Sequence, residues 1–289
     1  MLLSHSHIMV AFVVSLLILM LLHPSVSQRP YVRYALAATT LLWLALNAMI
    51  TVSGLALVVT IALLMVAAIH PRVPCWGRQA LALISTLLIL LLAINSLPAA
   101  HKSVLVADFF MGNSLTPYTL LVSYNKAVAA LLILTIWWPH LTDKGSYTRM
   151  TRSLPLAVAA AALIILMACS IGLQWDPKWY WFSAVFVLTN LALTCVAEEV
   201  FFRGLLQRQF SRYFSKYKSG TLAALLLASL LFGAAHIAAG LAYASLATLA
   251  GLAYGVIYWR YRSLHAAILC HWLVNVIHIA GFRYPWVPS

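Results

Sequence analysis

Apolar runs of about 16–20 residues, each long enough to cross a bilayer, recur ten times along this chain and leave little room for anything but a membrane fold. They fall near 8–23, 34–51, 54–69, 79–97, 119–138, 154–173, 179–203, 219–238, 242–259 and 264–282. Composition agrees: 64% of residues are hydrophobic and 8% charged, whereas soluble domains carry about 25% charged residues. The pattern predicts an all-α fold, a polytopic transmembrane helical bundle of about eight to ten spans. The 34–69 stretch is too long for one span, and Ser53-Gly54 is the expected turn inside it. The first run, Ile8 to Leu22, lacks a basic leader and a small-residue cleavage site, so it reads as a retained span rather than a signal peptide.

A formal net charge of +13 raises the question of a nucleic-acid partner. The distribution of the charge answers it. With ten spans and the N-terminus outside, the inner loops hold Arg29, Arg33, Arg72, Arg78, Lys144, Arg149, Arg152, Arg208, Arg212, Lys216, Lys218, Arg260 and Arg262. The outer loops keep Lys102, Lys178 and Arg283. This is the positive-inside bias of a topology signal, and no nucleic-acid partner is expected. Four cysteines, Cys75, Cys169, Cys195 and Cys270, show no CxxC spacing and read as small packing residues. The stretch 205–217 mixes aromatic and basic residues, and reads as an interfacial helix or as an extension of the span before it. A more polar connection, Asn95 to Tyr118, is a lid or a plain loop.

Against this background two adjacent acids stand out. Only five carboxylates occur in the chain, and Glu198 and Glu199 sit together in the run Val196-Ala-Glu-Glu-Val-Phe-Phe-Arg-Gly204. A charge at the bilayer centre costs about 2.5–3.5 kcal/mol on insertion scales, so such residues point to function. Residues four apart share a helix face while neighbours diverge by about 100°. Glu199 is therefore expected to pair with Arg203, leaving Glu198 available for chemistry.

Three further polar residues lie isolated in apolar sequence. His236 ends Phe232-Gly-Ala-Ala-His236, and is expected within its helix; His271 and Asn275 are four apart on one face, which His278 continues. Lone membrane histidines usually hydrogen-bond between helices. Several on successive spans are best satisfied in one shared interior cavity. Such a cluster can activate water. A carboxylate and a neutral imidazole serve as base, while a second histidine and an asparagine donate to the oxyanion of a tetrahedral intermediate. Ser229 and Cys270 lie nearby but in no nucleophile motif. A Zn²⁺ ion held by Glu and His is the rival scheme, although HExxH is absent. Helical rise puts Glu198 about 15 Å from Arg208, His271 about 10 Å from the Ser263 loop, and His236 about 27 Å from Lys218, which asks for a tilted or deep-starting span before His236.

The ordered runs EExxxR (Glu198, Glu199, Arg203), FxxxH (Phe232, His236) and HxxxN (His271, Asn275), with Gly251 and Gly255 ahead of the last, resemble the CAAX protease and bacteriocin-processing family. That family comprises intramembrane glutamic endopeptidases and includes the Ras-converting CAAX endopeptidases. The resemblance covers about residues 155–282. It implies catalytic roles for Glu198 and His236 in activating water, an oxyanion site at His271 and Asn275, and a supporting pair in Glu199 and Arg203. It also implies no cofactor, with zinc as the alternative, and a membrane-associated protein or peptide as substrate. Residues 1–153 then form N-terminal transmembrane helices without an assigned role, 154–282 the catalytic membrane domain, and 283–289 a short tail. Two other readings remain open: a non-catalytic immunity or scaffold protein of the same fold, and a proton- or metal-coupled transporter. A compact chain without organelle signals suggests a bacterial inner membrane. Oligomeric state is not encoded in any feature of the sequence.

Overall fold

The computed structural model describes residues 5–22, 29–142 and 145–285; the expected inner-loop Lys144 and the tail residues 286–289 lie outside the described residues. Each of the ten apolar runs contains a helix. In chain order these are α1 (His5–Leu22), α2 (Pro30–Leu46), α3 (Val52–Ile69) and α4 (Cys75–Ala93), then α5 (124–141) and α6 (Ser146–Ser170). The last four are α7 (Ser183–Lys216), α8 (Gly220–Ala234), α9 (Leu241–Tyr261) and α10 (Leu264–Gly281). Among the described residues six helices (α3, α4, α6, α7, α9 and α10) are long and apolar enough to cross a membrane, and α8 is a shorter apolar helix. The chain is an integral membrane protein of the all-α class.

Three details differ from the sequence reading or decide between its options. The break inside 34–69 falls at 47–51, where Ala48 adopts φ 55° and Thr51 caps α3 by accepting from the Gly54 amide at 2.9 Å. Gly54 is thus helical. A Cβ there would lie 2.0 Å from the Ala99 carbonyl oxygen, so close backbone approach, not a turn, demands the glycine. The polar connection is neither bare loop nor helix: β1 (Lys102–Phe109) and β2 (Tyr118–Ser123) pair in a two-stranded sheet. β2 takes the start of the fifth apolar run, so its helix begins at Tyr124. Finally, 205–217 continues α7 as far as Lys216, which makes it an extension of the span before it.

The chain divides into two compact units. The first comprises 1–105, 120–141 and 192–197. Its core includes Leu44, Val58, Ile61, Met65, Ile89 and Leu92. Asn125 is buried there and fully used: it accepts from the Ala100 amide (2.7 Å) and donates to the Leu97 carbonyl (3.0 Å).

The second unit comprises 106–119, 142–191 and 198–289. Here α6 packs on α10 through Ala157, Ala161, Ala266, Ala267 and Cys270. Such small residues let membrane helices approach closely, where packing and hydrogen bonds replace the hydrophobic effect as the adhesive. Cys270 donates its thiol to the Ala157 carbonyl at 3.6 Å. At one end, Ser263 caps α10 by accepting from the Ala266 amide (3.2 Å) and donates to the Ser146 carbonyl (2.7 Å). At the other, the Asp176 carboxylate accepts from the Asn113 amide (3.0 Å) and from Lys178 Nζ (3.1 Å), and its own backbone amide donates to the Gly281 carbonyl (2.9 Å). Burial opposes ionisation of Asp176. The Asn113 and Lys178 hydrogen bonds outweigh it and hold the carboxyl below its usual range.

Candidate functional site

The helix that carries the two glutamates is not a regular α-helix. Residues Asn190–Cys195 and Val200–Gln207 of α7 are π-helical, and the single α-turn Val196–Glu199 lies between them. π-Segments are rare and concentrate at functional sites. Each change of register also shifts the helical phase, so the direction of a side chain cannot be read from uniform 100° steps.

Glu199 is fully buried and accepts from two partners on different elements: Arg203 Nε reaches Oε2 at 3.0 Å, and His271 Nδ1 reaches Oε1 at 2.8 Å. The expected pair with Arg203 is present. The tie to His271 was not expected, because the residues are 72 positions apart and their spacing on separate helices carries no signal. Arg203 is also fully buried. Its guanidinium lies over the Phe232 ring at 5.3 Å and near Phe202 at 6.0 Å, so aromatic faces meet the part of the cation that no carboxylate reaches. One helical turn on, Gln207 donates to the Gly255 carbonyl at 3.1 Å. A Cβ at Gly255 would lie 2.5 Å from Leu225 Cδ1, 2.9 Å from Gln207 Oε1 and 3.5 Å from Arg203 Nη1. Overpacking of this kind costs about 1–3 kcal/mol. Gly255→Val is therefore expected to lower the melting temperature in detergent, and an unchanged midpoint would mean that α9 can move aside freely.

Glu198 is partly buried. Its Oε2 atom is enclosed and accepts no hydrogen bond from the described residues. Among carboxylates of the site, Glu198 is thus the one whose lone pairs are not committed to a cation.

His236 does not lie within its helix. α8 ends at Ala234 and spans 15 residues, so His236 sits in the turn ahead of the short 3₁₀ segment Ile237–Ala239. The expected tilted or deep span gives way to a short helix, about 22 Å long at 1.5 Å per residue. His236 Nδ1 donates to the Phe232 carbonyl at 2.8 Å. A carbonyl can only accept, so Nδ1 carries a proton, and the ring in its neutral form presents a lone pair at Nε2. Phe232 flanks this ring (centroids 4.8 Å) and meets His271 edge-on at 5.8 Å.

On α10, His271 stacks on Tyr254 with centroids 4.7 Å apart and planes at 13°. Its Nδ1 faces the Glu199 carboxylate, which leaves Nε2 as the second ring nitrogen. Asn275 Nδ2 donates to Asn190 Oδ1 at 3.0 Å. His236, His271, Asn275 and His278 line one partly open cavity. Tyr243, Tyr254 and the apolar Ile164, Leu173 and Val274 complete much of its wall. Glu198 is not among the lining residues. The expected shared cavity therefore holds three of the four proposed catalytic side chains directly. Ser229 and Cys270 are turned away into backbone hydrogen bonds, to the Leu225 and Ala157 carbonyls. Among the described residues no three His, Cys, Asp or Glu side chains converge as a set of metal ligands.

Asn190, Tyr243 and Tyr254 escaped the sequence reading. Asn190 had a signal, being a polar residue in the same apolar run eight positions before Glu198. The tyrosines had none, because aromatic residues are common on membrane helices whatever they face.

Comparison with known proteins bears on this arrangement. Residues 179–277 match the family described as type II CAAX prenyl endopeptidase, Rce1-like, and the matched segment contains all three motifs. Over that segment the family resemblance read from the motifs is borne out. No curated protein and no solved structure matches the chain.

Proposed function

We propose that this protein hydrolyses a peptide bond close to the membrane in a membrane-associated protein or peptide, using water activated by Glu198 and His236. One observation carries the reading: His236, His271 and Asn275 open onto a single cavity, and each imidazole is already anchored through Nδ1 to an acceptor behind it. Anchoring of that kind aims the other ring nitrogen and removes the rotational freedom that would blunt catalysis.

In the proposed scheme Glu198 and the Nε2 lone pair of His236 share a water molecule. Glu198 takes its proton as oxygen attacks the substrate carbonyl carbon. The carbonyl oxygen becomes an oxyanion and receives hydrogen bonds from Nε2–H of His271 in its imidazolium form, whose Nδ1–H is held by the Glu199 carboxylate, and from the Asn275 amide. Collapse of the tetrahedral intermediate breaks the C–N bond. Glu198 returns its proton to the departing amine, which restores the resting carboxylate. Glu199 and Arg203 neutralise one another and hold His271. A zinc-dependent route is the alternative, and retention of activity under strong chelation, with metal analysis of the purified protein, separates the two.

Comparison of membrane-protein termini in cells carrying wild-type and His236→Ala protein tests the reading and names the substrate. New termini are expected to disappear in the variant, with a rate loss of about 10²–10⁴ for removal of a positioned acid–base group. An unchanged set of termini, with the variant present at normal level, would leave the non-catalytic and transport readings; proton flux in proteoliposomes would then support transport. We place the protein in a bacterial inner membrane, for which the loop-charge bias supplies the orientation.

A further inference from the structure

The hydrogen bond between His271 Nδ1 and Glu199 Oε1, at 2.8 Å, fixes one atom of the imidazole. It does not fix the plane of the ring. A hydrogen bond tolerates tens of degrees of misalignment before it weakens steeply, and Nε2, across the ring, swings as the ring tilts. An oxyanion donor has to stand about 2.7–3.1 Å from the developing charge, so this tilt needs a restraint of its own.

Tyr254 on α9 supplies one. Its ring lies nearly parallel to the imidazole, with centroids 4.7 Å apart and planes at 13°. Phe232 meets both rings edge-on, Tyr254 at 6.0 Å and 85° and His271 at 5.8 Å and 82°. Stacked and edge-to-face arrangements are those that aromatic rings favour at such separations, so the three rings hold one another in orientation. Tyr254 also lines the cavity onto which His271 opens.

The neighbours of Tyr254 explain its close fit. Gly251 and Gly255 flank it on α9, and a Cβ at these positions would lie 3.3 Å from Ser229 Cα and 2.5 Å from Leu225 Cδ1 of α8. In the other direction, a Cβ at Gly233 of α8 would lie 2.7 Å from the Ala244 carbonyl oxygen of α9. Glycines on both helices thus let α8 and α9 approach closely. Tyr254, 2% exposed, is packed between them and His271.

We infer that Tyr254 is a positioning residue whose ring sets the plane of the His271 imidazole, and so the direction of the Nε2–H that meets the oxyanion. This rests on the endopeptidase reading and extends it to a residue outside the three motifs.

The test uses full-length protein in proteoliposomes with a quenched-fluorescence prenylated CAAX peptide. His271→Ala sets the scale, at about a 10²–10³ loss in kcat for removal of one oxyanion donor. Tyr254→Leu keeps an apolar wall and removes the planar face. It is expected to lower kcat about tenfold or more, with KM within about twofold, as for an interaction made only in the transition state. Tyr254→Phe keeps the face and is expected to run within about threefold of wild type. Tyr254→Leu combined with His271→Ala should be no slower than His271→Ala alone, because the two side chains act as one unit. Should Tyr254→Leu fail to fold, Tyr254→Met takes its place, since its flexible thioether fills irregular space without a planar face. The inference is overturned if His271→Ala is slow while Tyr254→Leu keeps the wild-type kcat, whether or not its KM rises. It is overturned equally if Tyr254→Phe is as slow as Tyr254→Leu, or if the double variant is slower than His271→Ala. Wild-type speed in His271→Ala would instead overturn the endopeptidase scheme itself, and this inference with it.

Discussion

Glu198→Gln is expected to abolish cleavage while leaving the protein folded. The substitution preserves volume and removes only the ability to take a proton. Loss of a positioned general base lowers rates by about 10²–10⁴, and the upper part of that range applies where the same group must also return the proton to the leaving amine. Little stability should be lost. Glu198 Oε2 accepts no hydrogen bond from the described residues, and the residue is only partly buried, so exchange for an amide breaks no compensated ion pair. The change in unfolding free energy is expected to stay within about 1 kcal/mol, as at sites away from buried networks. Single-turnover cleavage and thermal unfolding in the same detergent measure both quantities on one preparation. Full activity in Glu198→Gln would remove the carboxylate from the mechanism altogether.

Glu199→Gln is expected to do the reverse, with a large loss of stability. Glu199 and Arg203 are both fully buried, and the carboxylate also receives the His271 Nδ1–H. Removing one partner of a buried pair costs about 3–5 kcal/mol, because the remaining charge stays in a medium that cannot solvate it. The Phe232 face near the guanidinium offsets only part of that cost, since a cation–π contact contributes about 2 kcal/mol when desolvated. A Gln amide would moreover turn its NH₂ toward one of two donors. The melting temperature should fall sharply, and activity with it, because His271 loses the group that orients it. A partial return of both in Glu199→Gln with Arg203→Met would show that the stranded cation is the main injury. A variant as stable as wild type and yet inactive would reverse the roles assigned to the two glutamates.

The contrast between these neighbours shows how far the sequence is legible. Ten apolar runs yield ten helices because hydrocarbon admits backbone polar groups only when they are satisfied within the segment, so run length alone marks each helix. The Glu199–Arg203 pair is equally legible, since residues four apart on a helix meet whatever surrounds them. Where local rules cease to hold, so does the reading. Gly54 looks like a turn and is a close contact with Ala99, whose carbonyl also accepts from the Thr51 amide. β1 and β2 were invisible because their ladder is made between strands, and the short apolar alternation of 118–123 merges with the run that follows it.

What the sequence determined by itself is a membrane bundle, the identity of the polar residues within it, and their division into a paired and an unpaired glutamate. These follow from the cost of burying charge and from helical spacing, both of which act over a few residues. Tertiary structure decided that the Glu199 carboxylate stands behind His271. It decided too that Asn190 meets Asn275. Those contacts join positions 72 and 85 residues apart across a helix whose phase is altered by π-turns, and no periodicity along one chain encodes where two separate helices touch.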